Sequence, residues 1–216
     1  MTEIAVTASS PDLAQTVVRK ILSLGVDGIG PMKGAERIAA EHLGTHGDVE
    51  VAIGRIIKTH IRLVAGTGFV TGLGGFAVAA VTIPADITAL YATAARCAGA
   101  IAVLRGYDVR SEEVRSVILL TLIGSAGAGV IADVGAEIGT KAAIAALKQL
   151  PGHALIAINK AVGFRLITAF GTHGAVNLVK FVPVAGGIVG AGVNVATIRT
   201  VARYAKKSFP VVGSGD

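Results

Sequence analysis

The sequence predicts an all-α protein, a compact multi-helix bundle with glycine-rich apolar helical hairpins. Three observations carry that expectation. No stretch alternates apolar and polar residues with the turn spacing of a sheet protein; valine and isoleucine stand among alanine and glycine at helical intervals instead. Helix-start and helix-stop signals recur along the whole chain. Finally, 52% of the 216 residues are apolar and only 16% are charged, with 29 glycines and 4% aromatic residues, where an ordinary globular domain carries about 25% charged residues. Mean hydropathy is +0.69. So little charge does not cover a normal water-facing exterior. Apolar surface is therefore expected to meet lipid or a partner, unless the fold is unusually compact.

Taken in order, Ser10, Pro11 and Asp12 read as an N-cap, a first helical position and a first-turn acid. That helix is expected to run to Leu24 and stop at Gly25. Gly28 to Gly30 reads as a turn, Pro31 as the start of a second helix through Leu43, and Gly44 to Gly47 as its break. Asp48 caps a third helix whose apolar face holds Val51, Ile53, Ile56, Ile57, Ile61 and Val64. Leu63 to Ala85 then runs 23 residues without a charge, a length that suffices to cross a bilayer. Five glycines interrupt it, each costing a helix about 1 kcal/mol against alanine unless backbones pack closely there. Gly68 and Gly72 have the GxxxG spacing that opens a helix face to a neighbour, and Pro84 is expected to end or kink the run.

Ile87 to Leu104 continues with Arg96 as its single charge, and Gly106 closes it. Ser111 caps the next helix, which leads into the uncharged Ser116 to Ala132. Gly135 and Gly139 make a second GxxxG, Lys141 to Leu150 is helical, and Pro151 and Gly152 stop it. A helix over His153 to Phe170 and a break at Gly171 to Gly174 come next. The last uncharged run, Phe181 to Ile198, carries the third GxxxG at Gly186 and Gly190 and passes without a breaker into Arg199, Arg203, Lys206 and Lys207. These six glycines are the expected helix-packing positions. No linker or repeat divides the chain, so one domain over 1–216 is expected.

The net charge of +6 is unevenly placed: Glu137 is followed by no acid until Asp216, and nine basic residues lie between them. A one-signed field on a hydrophobic protein points to anionic lipid, worth about 1 kcal/mol per Lys or Arg near the surface. Arg199, Arg203, Lys206 and Lys207 are the expected lipid-facing cations. Nucleic acid is the rival partner, but the aromatic residues of this part are scattered and offer no stacking platform. Cys97 is alone, which fits a reducing compartment, and no basic stretch followed by an apolar run opens the sequence as a secretory signal would. The expected location is cytoplasmic, on the inner face of the cell membrane.

Catalytic and cofactor signals are weak. Two matches to GxGxxA, at Gly72 to Ala77 and Gly127 to Ala132, lack the preceding strand and the following acid, and in a chain this rich in Gly and Ala they measure background. His42 and His46 are four apart, but Gly44 is expected to break the face they would share. No GxSxG frame surrounds a serine. No catalytic residue, cofactor or metal ligand is therefore assigned. Asp86 stands between two apolar stretches, where a carboxylate is costly unless capped or paired. It reads as an N-cap beside Pro84, or as a polar site with Arg96 or Arg165 as its partner.

Several marks together resemble the EcsC family, bacterial proteins named for a member encoded beside an ABC transporter. They are Gly68 to Gly75 (GFVTGLGG), Ile83 to Asp86 (IPAD), Gly106-Tyr107-Asp108, Gly124-Ser125, Ile158-Asn159-Lys160 with Val162 to Arg165, and Tyr204 to Lys207 before Phe209. The likeness covers about 32–209. One departure is Asn194, an amide where the family pattern leads one to expect an acid. The resemblance implies a link to the membrane, transport or secretion and supplies no reaction or catalytic residue.

Three functions are expected on these grounds. The first is a non-catalytic protein held at the membrane, its glycine-faced hairpins packing together or inserting, with anionic lipid and membrane transport proteins as partners and self-association as an option. The second is a soluble bundle holding a lipid or acyl chain, with Asp86 and Arg165 at the mouth of its cavity. The third is a membrane-perforating effector.

Overall fold

The computed structural model describes residues 11–73, 75–133, 151–171 and 183–212, with side chains over 14–66, 88–132, 151–168 and 191–212. The described residues contain helices and no strand, as the periodicity requires. They are α1 (Pro11–Leu22), α2 (Ala35–His46), α3 (Val49–Leu73), α4 (Gly75–Leu104), α5 (Glu112–Leu122), α6 (Ala126–Asp133), α7 (Gly152–Gly171) and α8 (Pro183–Ser208), with a π-helical turn over Ser23–Asp27 after α1. The second GxxxG, Gly135 and Gly139, lies outside the described residues.

Helix α4 is the centre. It packs against α1, the π turn, α2, α3, α5 and α8. The reason lies in its sequence: from Ala94 to Ala102 every residue but Arg96 is buried, and all but Ile101 are small. A helix that is apolar on all sides must be enclosed, and short side chains let many neighbours come close. Around it a single core joins Ile21 of α1, Ile53 and Ile56 of α3, Ile118 of α5, Ile158 of α7 and Ile198 of α8.

Close approach occurs at three glycines outside the GxxxG pairs. A Cβ at Gly25 would lie 2.3 Å from the Ala92 carbonyl oxygen, one at Gly163 would lie 2.5 Å from the Ala14 oxygen, and one at Gly99 2.8 Å from Ala35 Cβ. These glycines seat the π turn on α4, α7 on α1, and α2 on α4. Gly68, Gly72, Gly186 and Gly190 are helical, and what they touch lies outside the described side chains.

Two expected caps form. Asp48 Oδ1 accepts from Val51 N–H at 2.8 Å, and Ser111 Oγ accepts from Val114 N–H at 3.3 Å. Not every breaker acts as expected. Pro31 lies in the loop before α2, which starts at Ala35 after Gly34, where a Cβ would lie 2.3 Å from the Asp27 carbonyl oxygen. Gly44 does not break α2; it sits exposed inside the helix, which ends on Gly47 with φ 71°. Pro84 lies within α4 and does not end it. The 116–132 run is not one helix, since Gly124 at φ 58° separates α5 from α6, a conformation open to glycine at no steric cost. Among the described residues, no helix is long and apolar enough to cross a membrane.

Candidate functional site

Helix α3 is amphipathic in charge as well as in hydropathy. Ala52, Ile53, Ile56, His60 and Val64 are buried on one side, while Arg55, Lys58 and Arg62, three and four residues apart, are exposed on the other. Helix α8 repeats the pattern, with Ile198, Val201, Ala202 and Ala205 buried and Arg199, Arg203, Lys206 and Lys207 exposed. The two helices share the most extensive packing among the described elements. Two contacts fix their register: Lys206 Nζ reaches Glu50 Oε2 at 3.3 Å, and Asn194 Nδ2 donates to the Val64 carbonyl at 3.4 Å. The pair is therefore antiparallel, and Arg203 stands level with Arg55 and Arg199 with Lys58. Elsewhere on its surface α8 presents Thr200 and Tyr204 to Gly124. Seven cations thus form one band across two helices, and Glu50 is the single acid on either.

Nearby acids are occupied elsewhere. Glu36 pairs with Arg110 at 3.1 Å and Glu41 with Lys33 and Arg37 at 2.7 and 3.1 Å, while Asp27 holds Arg115. The hydrogen bonds from Lys33 and Arg37 keep the Glu41 carboxyl below its usual range. Glu50 itself is shared between Lys206 and Arg105 Nη2, at 2.6 Å from the latter, so it pins the start of α3 to the ends of α4 and α8. Of the four cations expected to face lipid, Lys206 is thus half engaged, while Arg199, Arg203 and Lys207 have no acidic partner among the described residues. The same is true of Arg55, Lys58 and Arg62. Sequence reasoning missed these three because the first 137 residues are net negative as a segment; their three-and-four spacing was the available signal.

Arg96 does not meet a carboxylate among the described residues. Its Nη2 donates to the Leu24 carbonyl at 2.8 Å and its Nε to the Gly25 carbonyl at 3.4 Å, serving the oxygens that the π turn leaves free. Burial holds its pKa below the usual arginine value. Arg165 is exposed on α7 and faces α6 near Gly129, so it and Arg96 engage different elements. Asp86 lies in α4, and its side chain falls outside the described residues. Replacing Arg96 by methionine keeps the stem and removes both donors. It is expected to lower stability by about 2 kcal/mol, two such bonds at about 1 kcal/mol each, read as a lower urea midpoint.

His60 is buried, with Nδ1 2.8 Å from the Ile56 carbonyl oxygen. Burial pushes its pKa below the ordinary value of 6.5; the Ile56 bond opposes this, and the charges of Arg96 and His42 add to it. A depressed folded value means that the unfolded chain takes up the proton first. Stability is then full above about pH 6.5 and falls as pH drops from there towards the folded value. The melting temperature is expected to fall as pH is lowered from about 7.5 to about 5.5, and His60→Gln is expected to flatten most of that slope. A smaller share belongs to His42, whose value is lowered by partial burial and by His46.

Other chemistry is sparse. Burial pushes the Cys97 thiol up to about 12, so it carries no thiolate at neutral pH. The His42 and His46 rings stand 5.9 Å apart on an unbroken helix, and no group of three or more His, Cys, Asp and Glu side chains that could hold a metal occurs among the described residues. A cleft of about 490 Å³ lies between α1, α5 and α7, lined by Gln15, Arg19, Asp27, Glu112, Arg115 and Asn159 with Val18, Leu22 and Ile156. Its charges alternate in sign, which suits neither an acyl chain nor an anion, and Arg165 is not part of its wall.

Several of the residues that carry the family resemblance meet in space. Tyr107 packs on the fully buried Phe209 with ring centroids 5.3 Å apart, and Gly124 lies against Tyr204. These residues seat the end of α8 on the α4–α5 turn. Compared with known proteins, the chain shows no significant similarity to a curated protein or to a solved structure. The family described as the EcsC protein family matches it over residues 31–211. With most of its 216 residues inside that match, the chain belongs to the EcsC protein family.

Proposed function

We propose that this is a membrane-associated helical protein, without a catalytic step of its own, that docks on anionic lipid through the α3–α8 band. The observation that carries the reading is the arrangement of seven cations against one acid on two packed, exposed helix faces. A band of one sign matches a headgroup layer, in which each Lys or Arg contributes about 1 kcal/mol. Nucleic acid fits less well, since neither helix carries an exposed aromatic side chain among its described residues on which a base could stack. Docking of this kind places the protein on the cytoplasmic face of the cell membrane, where anionic lipid is concentrated. The family's namesake, encoded beside an ABC transporter, makes transport, secretion or another envelope process the setting in which that attachment serves.

Flotation tests the reading. The purified chain is expected to rise with vesicles of mixed phosphatidylglycerol and phosphatidylcholine and to stay behind with phosphatidylcholine alone. Salt added before mixing to about 1 M, where the screening length is about 3 Å, is expected to prevent association. A chain that remains at the bottom with anionic vesicles at low salt would remove the proposal.

A further inference from the structure

The band of cations ends abruptly, and the helix segments beyond it differ in kind. Past Arg62, α3 continues through eleven residues to Leu73 without a charge, and α4 runs from Gly75 to Ala85 likewise. Before Arg199, α8 is uncharged from Pro183 to Ile198. The topology brings these three segments to one end of the bundle. Glu50 joins the start of α3 to the end of α4 and the end of α8, so the far end of α3 lies with the start of α4 and the start of α8. Arg62 and Asp86 are each twelve residues from position 74, so charge resumes on both arms of the α3–α4 hairpin at the same level.

The side chains at the boundary already show the change. Leu63, directly past Arg62, and Val193, six residues before Arg199, are about half exposed on neighbouring helices. The charge-free length of α3 corresponds to about 16 Å at the helical rise. That is about half of a bilayer's hydrocarbon thickness of about 30 Å. It is too short to cross and long enough to fill one leaflet. Where α8 meets α3 at this level, Asn194 gives its amide to the Val64 carbonyl.

From this we infer that the protein does more than rest on the headgroups: the charge-free end of α3, α4 and α8 enters one leaflet as a wedge, and Arg55, Lys58, Arg62, Arg199 and Arg203 form its headgroup collar. The inference rests on the docking proposed above and adds depth and orientation to it. The occupant of this end is lipid because the collar supplies the charge complementarity an anionic headgroup layer requires.

The test uses the full chain in a Cys97→Ala background, with an environment-sensitive fluorophore on one introduced cysteine. Val70→Cys reports the wedge, Thr59→Cys the collar, and Leu43→Cys on α2 the aqueous side. Ala77→Cys on α4 serves if Val70→Cys does not fold. Each is bound to phosphatidylglycerol-containing vesicles doped with nitroxides on the headgroup or deep in the acyl chain. A blue shift at position 70 or 77, with quenching stronger from the deep nitroxide, is expected. Position 59 is expected to be quenched from the headgroup alone and position 43 from neither. Vesicle binding with no deep quenching at 70 or 77 overturns the wedge and leaves docking standing. Failure to float overturns both. A blue shift before vesicles are added, in a chain that elutes as a dimer, overturns the wedge by assigning this end to a second copy.

Discussion

The variant carrying Arg55→Gln, Lys58→Gln, Arg199→Gln and Arg203→Gln is expected to bind anionic vesicles about a thousandfold more weakly than the natural chain. Four cations at about 1 kcal/mol each give about 4 kcal/mol, and each 1.4 kcal/mol is tenfold in affinity. All four side chains are exposed and none is in an ion pair among the described residues, so each replacement is expected to change folding stability by less than about 0.5 kcal/mol. Thermal melting of the variant checks that point, and vesicle titration at fixed low salt reads the affinity. The control removes cations elsewhere: Arg37→Gln with Arg110→Gln takes charge from the α2 side. If that pair loses affinity to the same extent per charge, net charge alone governs binding and the band is not the docking surface.

The second large effect concerns two glycines with opposite outcomes. Gly25→Ala is expected to destabilise the fold by about 3 kcal/mol, at the upper end of ordinary overpacking, and to lower the melting temperature by about 9 °C in a chain of this size. The added methyl group would stand 2.3 Å from the Ala92 carbonyl oxygen and 3.1 Å from Ala95 Cβ. The first of these is backbone, in the central helix, so no side-chain rotation relieves it. The π turn must lift off α4, and the Arg96 bonds to Leu24 and Gly25 go with it. Gly44→Ala is expected to act in the other direction. Gly44 lies inside α2 with nothing within 4 Å of its would-be Cβ. There alanine should stabilise by about 0.5–1 kcal/mol, the ordinary helix-propensity difference. Melting curves of the two variants in one buffer decide both; equal shifts of one sign would contradict the packing described for Gly25.

Much of the architecture was legible. Apolar spacing gave the helices, and short polar side chains ahead of helical runs gave the starts at Asp48 and Ser111. Breakers were less readable, since a glycine or proline acts only through what surrounds it. Gly44 stays inside α2 with open space where a Cβ would stand, and Pro84 lies within α4 without ending it. Gly124 does break a helix, because the chain must turn there to carry α6 away from α5. The functional face was half legible. The α8 cations stood out in an acid-free stretch, whereas Arg55, Lys58 and Arg62 were hidden by acids elsewhere in their segment. Their significance depends on α3 and α8 lying side by side, which no local pattern encodes. Arg96 was singled out for its charge in an apolar run; its partners are backbone oxygens, and carbonyls leave no mark in a sequence.

The Asn194–Val64 contact joins positions 130 residues apart, and that separation has a consequence during synthesis. At about 5–20 residues per second, on the order of ten seconds pass between the emergence of α3 from the ribosome and the arrival of the helix that covers its flank. Throughout that interval the growing polypeptide presents oily helices still lacking their cover. Folding of this fold class is usually fast because contacts are local; here the final docking step waits on translation, and apolar surface left open for that long is what makes an unfinished chain prone to aggregate.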